Sequence, residues 1–245
     1  MKKTSFYVLL FFILTTKNIF SQIENSSQLI VVITENWEDE EGKLFLFEKE
    51  SQNWKKINNP FYIKIGLNGL AWGSGINNFE KGNPKKEGDK KSPAGIFNIG
   101  NAFGYDSLPP KETKLNYTHS TKNIKCVDDV NSKFYNQIVD QEKISKDWNS
   151  AENMKFDDSD YKYGIVILNN HKNISGNGSC IFLHCFGKNK NATVGCTAMS
   201  EENILTLFKW IDPKLFPKIV QLPKKEYLHL QKKWNLPLLT LFEEK

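Results

Sequence analysis

Apolar residues in this chain come in bursts of four to six, at 29–34, 44–47, 61–65, 163–168 and 180–185, each bounded by polar, turn-forming stretches. Runs this short fall below the length of a helix that buries a face and match the length of a strand. The first three read as antiparallel strands joined by hairpins, and 163–168 and 180–185 as buried central strands. A last strand is expected at 218–222. Residues 66–100 are rich in Gly, Pro, Asn and Ser, with a mixed-charge run over 81–91, and read as long loops around one short strand, 95–99. Helical signals occur twice. Ser200-Glu201-Glu202 offers a hydroxyl cap and acids in the first turn, followed by Ile204, Leu205, Leu207, Phe208 and Ile211 largely on one face, with Asp212-Pro213 as the stop. Pro223 opens a second, short helix to about Trp234. No internal repeat or interdomain linker is evident. The expected fold is one mainly β domain with peripheral helices, and six Trp and 17 Phe supply ample core material.

Residues 106–160 are polar and read as solvated loop. Their acidic clusters, Asp128-Asp129 and Asp157-Asp158-Ser159-Asp160, lack the spacing and closing Glu of an EF-hand.

The N-terminus reads as an export signal: Lys2 and Lys3, an apolar core, then a polar stretch with cleavage expected after Ser21. An uncleaved anchor is the competing reading, but the apolar run is short of the about 20 residues that span a bilayer. No cysteine lies near the cleavage point to carry a lipid. Removal of 1–21 takes away Lys2, Lys3 and Lys17 and no acid, so 33 Lys+Arg fall to 30 against 28 Asp+Glu and the net charge drops from +5 to +2. So small an excess gives no case for nucleic acid, and after cleavage nothing calls for stable membrane insertion. Asn-x-Ser/Thr sites at Asn25, Asn116, Asn173, Asn177 and Asn191 read as chance products of an Asn-rich bacterial chain.

The chemistry concentrates in two segments. An apolar strand ends in His184, and Cys196 follows Gly195 just before the first helix. Strand alternation puts Cys180, Phe182 and His184 on one face. Gly195 permits a tight turn, and the amides around Gly195–Cys196 are candidates for an oxyanion hole. An imidazolium beside a thiol lowers its pKa from about 8.5 to roughly 3.5–7.5 and then protonates a leaving amine. Of the other cysteines, Cys126 and Cys180 are the expected disulfide pair in an exported chain, and Cys185 a buried small residue. The bland reading makes His184 a core histidine and Cys196 an inert thiol. A zinc site from Cys180, His184, Cys185 and Cys196 is disfavoured, because His184 and Cys185 lie on opposite strand faces. A serine hydrolase is disfavoured for want of a G-x-S-x-G.

His184 with Thr193-Val194-Gly195-Cys196 resembles the catalytic motif of the L,D-transpeptidase (YkuD-type) family of cell-wall enzymes. The segment Gly88-Asp89-Lys90-Lys91-Ser92-Pro93-Ala94-Gly95-Ile96-Phe97, running into Ala102-Phe103-Gly104-Tyr105, resembles the family's G-D-x-x-S-P-x-G-x-F region. Asn68-Gly69-Leu70-Ala71-Trp72-Gly73, Cys126-Val127-Asp128-Asp129 and the residues from Gly178 to His184 resemble one subgroup. The likeness covers roughly 29–234, the expected catalytic domain. It departs from the commoner pattern in the shorter His-to-Cys spacing, in Val194 where a second histidine is frequent, and in Thr197-Ala198-Met199 after the cysteine.

The resemblance implies a β-sandwich catalytic domain facing the periplasm or cell wall of a bacterium, with peptidoglycan stem peptides as partners and no metal or organic cofactor. It implies that Cys196 attacks the carbonyl of the third, diamino-acid residue, that D-alanine leaves protonated through His184, and that an amine of a second stem resolves the acyl-enzyme. Tyr105, Tyr135, Trp72 and Asn170 are substrate-contact candidates by proximity to the motifs. His119, His171 and His229 read as surface residues. Hydrolysis by the same pair, as an L,D-carboxypeptidase or stem-peptide amidase, and a noncatalytic wall-binding module are the alternatives. Oligomeric state is not legible.

Overall fold

The computed structural model describes residues 23–77, 80–186 and 192–242. The expected export segment and Asn191 lie outside them. The fold is mainly β with two helices. Its strands are β1 (Gln28–Thr34), β2 (Glu41–Glu50), β3 (Asn53–Lys56), β4 (Phe61–Lys64), β5 (Leu70–Trp72), β6 (Ser92–Gly104), β7 (Tyr117–His119), β8 (Ile124–Val127), β9 (Ile138–Asp140), β10 (Ala151–Asn153), β11 (Tyr163–Ile167), β12 (Phe182–Cys185), β13 (Thr197–Met199) and β14 (Lys218–Pro223). The helices are α1 (Glu201–Trp210) and α2 (Lys224–Trp234).

The large sheet runs β1-β14-β6-β11-β12-β13-β4-β2, and β2 pairs again with β1, so the ladder closes on itself. The family resemblance implies two stacked sheets; the hydrogen bonding instead continues around a ring. Closure leaves no open edge among these eight strands. β3 extends β2, and β5 and β7 pair with β6. All seven residues of β1 are buried, as expected of a strand covered on both faces.

Both helices follow their sequence signals. Ser200 Oγ accepts the Asn203 amide, Glu201 and Glu202 fill the first turn, and Ile204, Leu207 and Phe208 are buried. Burying each of those side chains is worth about 1.5–3 kcal/mol, which fixes α1 against β11 and β12. Tyr227, Leu230 and Trp234 hold α2 against β14 and β1.

Two regions differ from the expectation. The short strand at 95–99 is part of the much longer β6, which pairs with β14, β11, β5 and β7 along its length. The polar stretch 106–160, read as solvated loop, contains β7 and a separate antiparallel sheet of order β10-β8-β9. Its strands have three or four residues each, with little apolar pattern to betray them. Side-chain caps and a covalent link add to the apolar cluster in which Ile124, Cys126, Ile138 and Met154 pack with Phe103 and Phe182. Asp129 accepts the amides of Asn131 and Asn149, Ser150 donates to Asp128, and Asp158 accepts the Asp160 amide. These acids cap turns.

Cys126 of β8 is disulfide-bonded to Cys180, 54 residues away. The bridge fastens the small sheet to the start of β12. Reduction, or replacement of both cysteines by serine, is expected to cost about 2–4 kcal/mol, since a closed loop of this size restrains the unfolded chain strongly. Calorimetry with and without reductant should show the thermal midpoint falling by roughly 5–15 °C.

Candidate active site

β12 and β13 lie side by side and parallel, with Leu183 opposite Thr197 and His184 opposite Ala198. Continuing that register places Cys196 beside Phe182, on the face that carries His184. A turn locks the residues before Cys196. Thr193 Oγ1 donates to the Cys196 carbonyl at 2.7 Å and accepts the Gly195 amide at 3.1 Å. Ser92 Oγ also donates to that carbonyl, at 2.9 Å, and accepts the Gly66 amide. The backbone of Thr193 is tied to Ile65 and Leu67.

Gly195 has φ +144, and a β-carbon there would lie 3.1 Å from the Lys91 carbonyl and 3.8 Å from Lys85 Nζ. Its place in the turn is therefore conformational. Of the amides around Gly195–Cys196 expected to meet an incoming carbonyl, that of Gly195 is already held by Thr193 Oγ1.

Cys196 is 4 % exposed and sits among Phe103, Met154, Tyr161, Phe182 and the Cys126–Cys180 bridge. Its Sγ accepts the Phe182 amide at 3.4 Å and lies 3.5 Å from the Cys180 carbonyl, to which it donates. Cys180 has φ 55, in the left-handed region, and its amide is held by Asn136 Oδ1. That kink aims its carbonyl at the thiol.

His184 is also buried. Its Nδ1 lies 2.6 Å from the Cys185 carbonyl and 3.1 Å from the Asp160 carbonyl. Carbonyls only accept, so Nδ1 carries a proton. The His184 ring meets the Tyr161 ring edge-on, 4.9 Å between centroids.

A histidine neighbour is expected to pull the thiol pKa down. The surroundings push it up to about 12: burial contributes most and the Glu152 charge adds, against the Phe182 amide, the Tyr161 hydroxyl and the Lys85 ammonium. The resting group is a neutral thiol. Cys185 is buried and likewise raised, to about 11, chiefly by burial.

Four residues that the sequence did not single out stand at this site. Tyr161 Oη is 3.9 Å from Cys196 Sγ and 2.5 Å from Glu152 Oε1. Lys85, whose side chain is 4 % exposed, pairs with Asp89 at 2.6 Å. Glu87 accepts the Tyr135 hydroxyl at 2.5 Å and the Ser179 hydroxyl at 2.8 Å. No spacing rule joins positions 85, 87, 152 and 161; only the proximity of 85 and 87 to the motif at 88–97, and of 152 and 161 to the loop anchored by Cys126, hinted at them.

The expected substrate contacts are dispersed. Tyr135 is buried and reaches the site through Glu87. The Tyr105 hydroxyl accepts the amides of Phe156 and Tyr161, which positions the chain leading into β11. Trp72 packs between Trp37 and Trp234 and lines a cavity of about 270 Å3 with Asn77, Glu80, Lys85 and Asn177. Asn170 is 1 % exposed and bonds to Ile174 and Gly178 within its own loop. His119, His171 and His229 are exposed. A larger groove of about 1200 Å3 is lined by Ala198, Met199 and Ser200 on one side and by β2 and β4 on the other, but not by Cys196 or His184. Hydrogen-bond geometry, not cavity size, therefore marks the candidate site.

Among the described residues no helix is long and apolar enough to cross a membrane. No curated protein sequence matches the chain. Among solved structures, the helical cell shape determining protein Pgp2 from Campylobacter jejuni is similar at 14 % identity and a TM-score of 0.39, over 81 % of this chain and 49 % of that one. The chain thus spans about half the length of that structure. The model of the L,D-transpeptidase catalytic domain, YkuD, matches residues 39–220, a span that includes the locked turn, His184 and Cys196. The chain belongs to the L,D-transpeptidase catalytic-domain (YkuD) family.

Proposed function

We propose that the protein is an exported peptidoglycan L,D-transpeptidase in which Cys196 is the nucleophile. The observation that carries this reading is a thiol on a locked turn, beside a strand that presents a histidine with its Nδ1 proton fixed. Cys196 Sγ attacks the carbonyl of the diamino-acid residue of a stem peptide. The C–N bond to D-alanine breaks, the departing amine takes a proton from His184, which enters the step as an imidazolium, and a thioester remains on Cys196 once the thiol proton has left the sulfur. An amine of a second stem then attacks the thioester, gives up its proton to His184, and forms the cross-link. Burial of both groups favours an amine over bulk water as the acceptor. The periplasm or wall-facing side of a bacterium is the compartment that suits this substrate and the disulfide alike.

Purified protein incubated with a disaccharide tetrapeptide is expected to give a mass shift on the Cys196 peptide and a cross-linked dimer. Loss of D-alanine with no dimer would replace transpeptidation by L,D-carboxypeptidase activity. Absence of any Cys196 adduct, with this fragment and separately with a carbapenem, would leave a wall-binding module.

A further inference from the structure

A thiol held neutral must lose its proton as it attacks, and the surroundings of Cys196 hold an acceptor other than His184. Tyr161 stands between Cys196 and Glu152, with its hydroxyl 3.9 Å from Sγ and 2.5 Å from Glu152 Oε1. Its ring is pinned edge-on by Phe103, Phe156, Phe182 and His184, so the hydroxyl has little freedom to turn elsewhere. Glu152 is delivered by the small sheet. On β10 it lies opposite Cys126 of β8, and Cys126 is bridged to Cys180, whose carbonyl faces the same sulfur. One covalent strut therefore fixes the carboxylate relative to the thiol.

We propose that Tyr161 and Glu152 form the path by which Cys196 loses its proton, with Tyr161 the catalytic relay and Glu152 the positioning acceptor behind it. The proposal rests on Cys196 being the nucleophile. In the step, the S–H turns from the Cys180 carbonyl towards Tyr161 Oη and breaks, its proton passing to Oη while the Tyr161 proton passes to Glu152 Oε1. The sulfur electron pair forms the bond to the attacked carbonyl. The carboxyl ends neutral and Tyr161 is unchanged. When the acyl group leaves, the same path runs backwards and restores the thiol. His184 is then reserved for the amines that depart and arrive.

Charge around the relay is consistent with this division. Glu152 is partly buried; burial raises it to about 7, opposed by the Tyr161 hydroxyl and reinforced by Asp128 and Glu87. A base in that range is matched to neutral pH. Tyr161 itself is pushed well up by burial and by the neighbouring Cys196 and Glu152, so it serves as a hydroxyl and not as a phenolate. The Lys85 charge favours the thiolate as it forms.

The test is alkylation of Cys196 by iodoacetamide, read on its own peptide by mass spectrometry, in the full chain with the disulfide intact. Wild type, Glu152→Gln, Glu152→Asp and Tyr161→Phe are compared from about pH 5 to about pH 9, with a thermal midpoint for each. The wild-type rate is expected to rise through about pH 7 and level off. Glu152→Gln and Tyr161→Phe should each lower the rate at about pH 7.5 by about tenfold or more and erase that rise. Glu152→Asp should keep it. A purely structural role would shift the midpoint and leave the profile in place. The proposal is overturned if both variants keep the wild-type profile, or if Glu152→Gln reacts faster, which would make the carboxylate only a repelling anion. Should Tyr161→Phe fail to fold, Glu152→Gln against Glu152→Asp decides. Alkylation needs no wall fragment. A chain that alkylates as described yet forms no acyl-enzyme leaves the relay standing and overturns the transpeptidase reading.

Discussion

Cys196→Ser is expected to lower formation of the cross-linked dimer by at least about 10^4-fold, because removing the nucleophile removes the whole covalent path and not a fraction of it. A serine hydroxyl fits the space of the thiol. It can accept the Phe182 amide and donate to the Cys180 carbonyl, so both buried partners of the sulfur remain satisfied. The thermal midpoint should accordingly stay within a few degrees of wild type. Alanine is the poorer control, since it strands the Phe182 amide at a cost of about 1–3 kcal/mol. Dimer yield by mass spectrometry and the midpoint by circular dichroism together check the prediction. A serine variant that still cross-links would rule out Cys196.

Lys85→Met is expected to cost about 3–5 kcal/mol, the range for breaking a buried ion pair from one side. The side chain is almost fully enclosed, and its ammonium bonds Asp89 Oδ1 and the Lys86 carbonyl. Asp89 would keep the amides of Lys86 and Lys91 but lose its counter-charge. Lys85→Met combined with Asp89→Asn removes both charges, and denaturant unfolding should show it recovering part of the loss. A single variant as stable as wild type would mean that solvent reaches the pair. The ammonium also borders Gly195 and favours the Cys196 thiolate, so the variant should alkylate Cys196 more slowly even where it stays folded.

The ring of strands was legible because its core segments are short apolar runs: 29–34 and 163–168 became β1 and β11 almost to the residue, while the run 180–185 gave β12 only from Phe182, because Cys180 takes a left-handed conformation. Ser200 and Pro223 marked both helices because caps are local chemistry. The small sheet was not legible, since β8, β9 and β10 are too short and polar to carry a period. At the site, Cys196 and His184 could be read from one strand and one turn. Tyr161, Glu152 and Lys85 could not, because β10 and two separate loops bring them there and nothing along the chain links them. The direction of the thiol shift also escaped the sequence: a histidine nearby argues for a thiolate, whereas the enclosure seen here argues more strongly for the thiol.

The turn before Cys196 is tied at three points that do not depend on one another: to β12 through the parallel ladder, to Ile65 and Leu67 through Thr193, and to β6 through Ser92. Immobilising the sulfur is therefore an entropy loss already taken when the ring closes, and an arriving peptide does not incur it again. Binding free energy from the rest of the peptide remains available for straining and orienting the bond to be broken. If the proposed function holds, whatever adjusts when a peptide docks, the frame around Cys196 is the part that stays still.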